Sequence, residues 1–272
     1  MALLCARGAA AQEISREGAK EIPPSIQDNS FLMEEAYNQE EGVVQHISAF
    51  QRQRGGAWVA TFTQEWPVPR QAHQLSYTIP YLHVSGDGAA GSGLGDIALN
   101  YRYQLAGSGE TRFACAPRLS LLLPTGNESR GLGAGGAGVQ ANVAASTVLS
   151  EKFVAHTNLG STYLPRAQNR RGQKAGTLGW NAGQSLIWTV LPTFNALVEA
   201  VWARSEEVVG AGRVRGVQSF FISPGIRWAY NFPSGLQVVP GVAAPIGAGP
   251  SRGDRAIFVY LSFEHPMWTP AR

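Results

Sequence analysis

The sequence predicts an all-β protein, a transmembrane antiparallel up-and-down β-barrel of about twelve strands with an acidic N-terminal arm in front of it. Three observations lead there. Beyond Gly42, alternate residues are apolar nearly to the C-terminus, which is the signature of strands with one face toward an apolar medium. Turn-type clusters cut this pattern into an even number of segments. Long and short connections alternate, as expected of a barrel with loops at one end and tight turns at the other.

Composition agrees. The 272 residues hold 32 Gly, 7 Trp, 8 Tyr and 11 Phe, yet only 15% are charged, against about 25% in an average soluble domain. No stretch reads as a membrane-spanning helix, which needs about 20 mainly apolar residues. The longest useful uncharged run, Thr177–Val198, is interrupted by Gly179, Asn181, Gly183, Gln184, Pro192 and Asn195.

Taken in order, Met1–Gln12 (MALLCARGAAAQ) reads as the tail of a secretory signal, because Leu3-Leu4 is apolar and Ala9-Ala10-Ala11 offers small residues for cleavage. Cys5 falls in that stretch and lacks a lipoprotein signature. Cys115 is then a single thiol, so neither a disulfide framework nor a metal site is expected. Residues 13–41 form the arm, and 42–268 the barrel. The twelve strands are expected near 42–53, 57–66, 72–84, 94–105, 111–124, 136–149, 152–164, 175–190, 193–204, 217–232, 236–246 and 255–265.

The alternation is plain in Gly95–Leu105, where Ile97, Leu99, Tyr101, Tyr103 and Leu105 share one face and Asp96, Asn100, Arg102 and Gln104 the other. Phe220, Ile222, Ile226, Trp228, Tyr230 and Phe232 likewise oppose Ser219, Ser223, Arg227 and Asn231. Val139, Ala141, Val143, Ala145 and Leu149 oppose Gln140, Asn142, Ala144 and Ser146; Leu75, Tyr77, Ile79 and Tyr81 oppose Gln74, Ser76 and Thr78.

The outer connections are expected at Arg54–Gly56, Ser85–Gly93, Thr125–Gly135, Pro165–Lys174, Ser205–Gly216 and Gly247–Asp254. Five of those six are long, whereas the inner ones, at Pro67–Gln71, Ala106–Glu110, Ser150–Glu151, Leu191–Pro192 and Pro233–Gly235, are none of them longer than five residues. Trp66, Tyr81, Tyr163, Trp188, Trp202, Phe232 and Phe263 lie near strand ends, where interfacial girdles belong. Pro117, Pro224 and Pro240 fall inside strands and each removes a ladder donor, so bulges or strand ends are expected there.

Several stretches resemble a family of proteobacterial outer-membrane proteins described as transporters of the phenol-degradation MetA-pathway type. The residues that carry the likeness are Pro24-Ser25-Ile26-Gln27-Asp28-Asn29-Ser30-Phe31, Glu34-Glu35-Ala36-Tyr37-Asn38-Gln39, Gly42-Val43-Val44-Gln45-His46 and Gly93-Leu94-Gly95-Asp96. The resemblance covers most of the chain from about residue 23 and implies an outer-membrane barrel of a Gram-negative bacterium with a transport role. It does not identify a solute.

Charge is unevenly placed. Residues 12–41 carry eight acids (Glu13, Glu17, Glu21, Asp28, Glu34, Glu35, Glu40 and Glu41) against Arg16 and Lys20, whereas residues 42–272 carry a net +8. The arm should therefore be drawn to the barrel. Arg102, Arg112, Arg118, Lys152 and Arg227 are expected to face inward with Asp96 and Glu199 as partners, and Asn100, Gln140, Asn142, His156 and Asn158 to line the lumen with them. Pro24–Glu41, with a short helix through Phe31–Gln39, is expected to fold against or into that lumen as a plug built on Gln27, Asp28, Asn29, Phe31, Glu34, Glu35 and Tyr37; a solvated tail is the alternative. Twelve strands enclose a bore between the filled barrels of about eight and the open porins of about 16.

Other motifs are weaker. His156-Thr157-Asn158 is similar to part of the His/Ser/Asn set of outer-membrane phospholipases, but no serine follows His156 by two residues and Ser161 has the opposite parity, so no catalytic set is assigned. Gly131–Gly138 (GLGAGGAG) is followed by a strand pattern where a phosphate-binding loop needs a helix, so it reads as a flexible outer loop. Arg166, Arg170, Arg171 and Lys174 could meet lipopolysaccharide phosphates or be simply solvated. The pI of about 9.0 comes from scattered bases without a nucleic-acid recognition motif.

The expected function is a narrow channel or transporter for small solutes, hydrophobic or aromatic ones included, with no cofactor. A structural or adhesive barrel with a filled lumen is the alternative, and a lipid hydrolase a more remote one. The expected partners are outer-membrane lipid and lipopolysaccharide, the solute, and the barrel-assembly machinery.

Overall fold

Period-two patterning dictates strands, and strands in hydrocarbon must leave no edge unpaired, since each bare N–H or C=O there costs several kcal/mol. The computed structural model describes residues 29–86, 91–233 and 236–266. The expected signal segment, the first part of the arm and the last expected barrel residues lie outside the described residues.

Twelve antiparallel staves close on themselves. They are β1 (Val43–Gln53), β2 (Trp58–Pro67), β3 (His73–Val84), β4 (Gly91–Leu94 continuing as Ile97–Tyr103), β5 (Phe113–Leu123), β6 (Gly138–Ser150), β7 (Phe153–Gln168), β8 (Lys174–Leu191), β9 (Phe194–Gly210), β10 (Arg213–Trp228 with Tyr230–Asn231), β11 (Gln237–Ala243 with Ile246–Gly247) and β12 (Ala256–Pro266). Each stave pairs with its sequence neighbours, and β12 pairs with β1 from Val43↔Pro266 to Gln53↔Ala256, which seals the barrel. Among the described residues no helix is long and apolar enough to cross a membrane. The crossing is made by strands.

Alternation sorts the side chains as the sequence predicts. In β7, Val154, His156 and Asn158 are buried toward the lumen while Phe153 and Leu159 face outward, Leu159 with 60% of its surface bare. The outward set also includes Leu99, Tyr101, Leu119, Val143, Trp188 and Leu261. On a soluble protein so broad an apolar coat would be anomalous; around a closed barrel it is the lipid-facing band.

Two expectations are corrected. The outer connections Pro165–Lys174 and Ser205–Gly216 are not long loops, because the ladder runs on through them. Strands β7, β8, β9 and β10 reach 16, 18, 17 and 16 residues, where about 9–11 suffice to span a bilayer. The β9–β10 hairpin ends in the turn Ala211-Gly212, with Gly212 at φ 63°, a conformation only glycine adopts without strain. In addition, the inner connection from β4 to β5 extends from Gln104 to Arg112, longer than expected.

The strand prolines leave the register unbroken, at Pro117↔Val143, Val198↔Pro224 and Pro240↔Leu261. Irregularities fall elsewhere, at Val148/Ser150, Leu164/Ala167, Phe194/Asn195 and Val208/Gly210. The glycine-rich outer connection between β5 and β6 is held in place. It contains a 3-10 turn, Glu128–Arg130, capped by Asn127, buries Leu132, and is pinned by the Asp96 carboxylate, which accepts from the backbone N–H of Gly126 (2.9 Å) and Ala134 (2.7 Å).

Candidate functional site

Inward parity assembles one continuous polar lining, and the arm runs through it. Residues 29–41 contain no helix, only bends at 31–33 and 36 and a turn at 41, contrary to the expectation for Phe31–Gln39. The physical reason is that the arm's backbone groups bond to wall side chains instead of to one another.

Arg227 Nη1 in β10 donates to the Asn29 carbonyl at 2.6 Å, and Ser30 Oγ donates to Ser185 Oγ in β8 at 2.7 Å. One carboxylate oxygen of Glu199 in β9 then accepts three successive backbone N–H groups, from Phe31 (3.1 Å), Leu32 (2.8 Å) and Met33 (3.1 Å). The Phe31 ring packs against Phe258 and Tyr260 of β12, with centroids 5.3 and 5.4 Å away. Gly225 and Gly241 make room for it: a Cβ on either would come within 2.7 or 2.6 Å of the ring.

Glu34 is the hub of the middle section. Arg118 in β5 donates to its carboxylate from Nη2 at 2.6 Å and from Nε at 2.9 and 3.0 Å, and Asn142 Nδ2 in β6 adds a bond at 3.0 Å. Asn158 in β7 brackets the Glu34 peptide, accepting from its N–H at 2.9 Å and donating to its carbonyl at 2.7 Å. Burial alone would raise the Glu34 carboxyl's pKa, but the Arg118 guanidinium, together with Arg102 and Asn142, outweighs that and holds it below the usual carboxylate range.

Further along, Ala36 passes over a floor of Ala114, Ala116 and Ala144, small inward residues that leave space for chain. Its N–H donates to Ser146 Oγ at 2.8 Å. Ser146 also bonds His156 Nδ1 at 2.7 Å, and the Tyr37 ring meets His156 edge-on at 5.9 Å. Arg102 in β4 donates to Asn38 Oδ1 (3.0 Å), the Glu35 carbonyl (3.2 Å) and the Tyr37 carbonyl (2.6 Å). Gln104 and Gln74 accept the N–H groups of Asn38 (3.0 Å) and Gln39 (2.8 Å).

Of the residues expected to line the lumen, Asn100, Arg102, Asn142, His156, Asn158, Glu199 and Arg227 are buried and Arg118 and Gln140 half-buried, on strand faces opposite the exposed apolar residues. Asp96 sits at the outer rim as the loop pin described above rather than as a partner of the inward cations. Arg112 and Lys152 are corrected: both are exposed in the inner turns, since the strand pattern on which their parity was counted stops before it reaches them. Of the expected plug residues, Asn29, Phe31, Glu34, Glu35 and Tyr37 lie inside the barrel; Gln27 and Asp28 lie outside the described residues. Gln74 and Ser146 were placed on polar strand faces but not among the lumen residues, and Glu65, Ser185 and Tyr260 were not singled out, although strand parity puts each on the inward face.

Beside the arm remains a cavity of about 350 Å³ between residues 29–35 and the inner faces of β1–β6 and β12. Glu65, Arg102, Arg118 and Asn100 form its polar wall, and Phe31, Ile47 and Tyr260 its apolar one. A wider recess at the inner mouth is bordered by Tyr37, Glu40, Glu41 and Glu110. Arg166, Arg170, Arg171 and Lys174 are exposed at the outer β7–β8 hairpin.

A closed twelve-stave barrel, apolar outside, polar inside and threaded by its own N-terminal segment, is an outer-membrane β-barrel. Among solved structures, an outer membrane channel from Pseudomonas putida F1 shares this fold, with a TM-score of 0.62 and 13% identity over 85% of this chain and 97% of that one. Looser matches are a mutant of the monoaromatic hydrocarbon channel TodX (TM-score 0.43, 7% identity, 84% and 91% covered) and the transport unit of the autotransporter AIDA-I from Escherichia coli (0.42, 13%, 88% and 94%). No family description and no curated protein matches the sequence.

Proposed function

We propose that the protein is a narrow outer-membrane channel for small solutes, hydrophobic or aromatic ones included, in which residues 13–41 act as an arm that constricts the bore. The observation that carries this reading is the cavity left beside the arm: at about 350 Å³ it is within the usual size of small-molecule sites, and Phe31, Ile47 and Tyr260 give an aromatic solute a surface to rest on. In this reading the lumen residues screen solutes and the arm sets the aperture.

The test is solute flux into liposomes, with single-channel conductance in planar bilayers, for the full chain and for a variant lacking residues 13–41. A channel constricted by the arm conducts more when the arm is removed. Equal conductance of the two proteins would refute the constriction, and absence of flux in both would refute the channel.

A filled, non-transporting barrel is the second reading, favoured by the number of bonds between arm and wall, and absence of flux is its signature. Catalysis is not part of the proposal. Ser146 and His156 are 2.7 Å apart, but both are buried beneath the arm, and Ser146 Oγ is occupied by the Ala36 N–H, so the pair is read as an anchor. Outer-membrane lipid, the lipopolysaccharide phosphates that Arg166, Arg170, Arg171 and Lys174 would meet, and the barrel-assembly machinery are the partners that accompany this role.

A further inference from the structure

Counted as formal charges, the groups around the cavity do not balance. Its lining holds three carboxylates, Glu34, Glu35 and Glu65, and two guanidinium groups, Arg102 and Arg118. Both cations are already engaged. Arg118 is bonded to Glu34, Asn100, Ser120 and Gln140, and Arg102 donates to Asn38 and the carbonyls of Glu35 and Tyr37. The Arg102 guanidinium therefore stands off from the Glu35 carboxylate at 3.9 Å and from Glu65 at 4.0 Å, outside charge-assisted hydrogen-bond length.

An independent observation has the same sign. Asn29 also lines the cavity with only 3% of its surface exposed, and its Oδ1 has no hydrogen-bond partner among the described residues. A buried acceptor left unmatched costs about 1–3 kcal/mol. Counted as formal charges, the cavity thus offers acceptors and one more acid than base, with Gln74 Nε2 already donating to Glu65 Oε2 at 2.7 Å, and Phe31, Ile47 and Tyr260 across from them.

We propose that this cavity binds small primary ammonium compounds with an apolar body, the ammonium on the Glu35/Glu65 side with Asn29 Oδ1 as a further acceptor and the body against Phe31, Ile47 and Tyr260. An ammonium supplies three donors and one positive charge, and in a desolvated site charge complementarity is stronger than in water. A carboxylate of the same shape would face the excess negative charge, and an alcohol would leave it uncompensated. The inference rests on reading the lumen as a solute path and names the solute class that path selects.

The test is calorimetric titration of the full chain in detergent at neutral pH with benzylamine, benzyl alcohol and benzoate. Benzylamine should bind about tenfold tighter than benzyl alcohol, equivalent to ~1.4 kcal/mol, and benzoate weakest. Glu65→Gln should remove that preference while leaving benzyl alcohol affinity unchanged, and Glu35→Gln provides the same comparison should the first variant fail to fold. Equal affinity for amine and alcohol, tighter binding of benzoate, or an amine preference that survives both substitutions overturns the proposal. Because titration requires no transport, amine binding without liposome flux would sink the channel reading alone, and flux without amine preference would sink this one alone.

Discussion

Glu34 shows how one side chain couples the arm to the wall. Its carboxylate bonds to Arg118 and Asn142, and its depressed pKa fixes the sign of a pH effect. A carboxyl that ionises more readily in the folded protein contributes stability above its ordinary pKa of 4.5, and that contribution is lost as pH falls through its lower folded value. The arm should therefore be seated firmly at neutral pH and loosen in acid, read as proteolysis of residues 13–41 in the intact barrel; an arm equally protected across that range would contradict it. Glu34→Gln should cost about 2 kcal/mol of arm docking by weakening charge-assisted bonds and should remove the part of the acid loosening that Glu34 carries. Gly241→Ala tests the neighbouring contact: its Cβ would lie 2.6 Å from the Phe31 ring, an overpacking that costs about 1–3 kcal/mol. The variant should keep its barrel yet expose the arm to protease at neutral pH, and an arm as protected as in the parent would show that the ring is not tightly seated. Nothing in the sequence around Glu34 or Gly241 announces either contact, because the partners lie far apart in the chain.

At the scale of elements, strand parity was readable and strand length was not. The inward positions of Asn100, Arg118, Asn142 and Arg227 follow from counting by twos, because one face of every stave must be apolar against lipid. Above the membrane that demand lapses. Pro165–Lys174 and Ser205–Gly216 contain Arg, Gln, Glu, Ser and Gly in a mixture that reads as loop, yet Glu206↔Gly216 and Glu207↔Arg215 still pair, with Arg215 and Glu207 joined at 2.8 Å. The surplus beyond about 11 residues is some six per strand, or roughly 20 Å of ladder. Because this projection contributes no lipid-facing band, replacing residues 207–215 with an Asn-Gly turn, which joins the paired Glu206 and Gly216, should leave a folded barrel that still shows the heat-dependent gel shift of the parent. Loss of that shift would mean the projection is needed for folding. The arm's non-helical form was missed for a related reason: Phe31–Gln39 has a composition compatible with helix, but local propensity yields when a wall offers Glu199, Ser146, Gln104 and Gln74 to its backbone N–H groups.

For the whole molecule, exposure has to be interpreted by the solvent it faces. Leu159, with 60% of its surface bare, sits near the middle of the bilayer-spanning part of β7. On a water-facing surface Leu159→Arg would change stability by no more than about 0.5 kcal/mol. In the middle of a bilayer the same substitution should cost about 2–4 kcal/mol, because the guanidinium must be drawn into hydrocarbon or bring water with it. Reversible unfolding in phospholipid vesicles measures the difference, and Leu159→Ala in the same vesicles separates the cost of charge from the loss of side-chain volume. An arginine at that position as stable as the alanine would mean that the apolar coat does not meet lipid. The polar interior would then be an ordinary buried network, and the closed wall of twelve strands would lose its physical reason. A penalty concentrated in the arginine variant ties the period-two pattern of the sequence to its cause: each stave separates hydrocarbon from a polar lumen, and the register that seals Val43 to Pro266 removes the last free edge from the lipid.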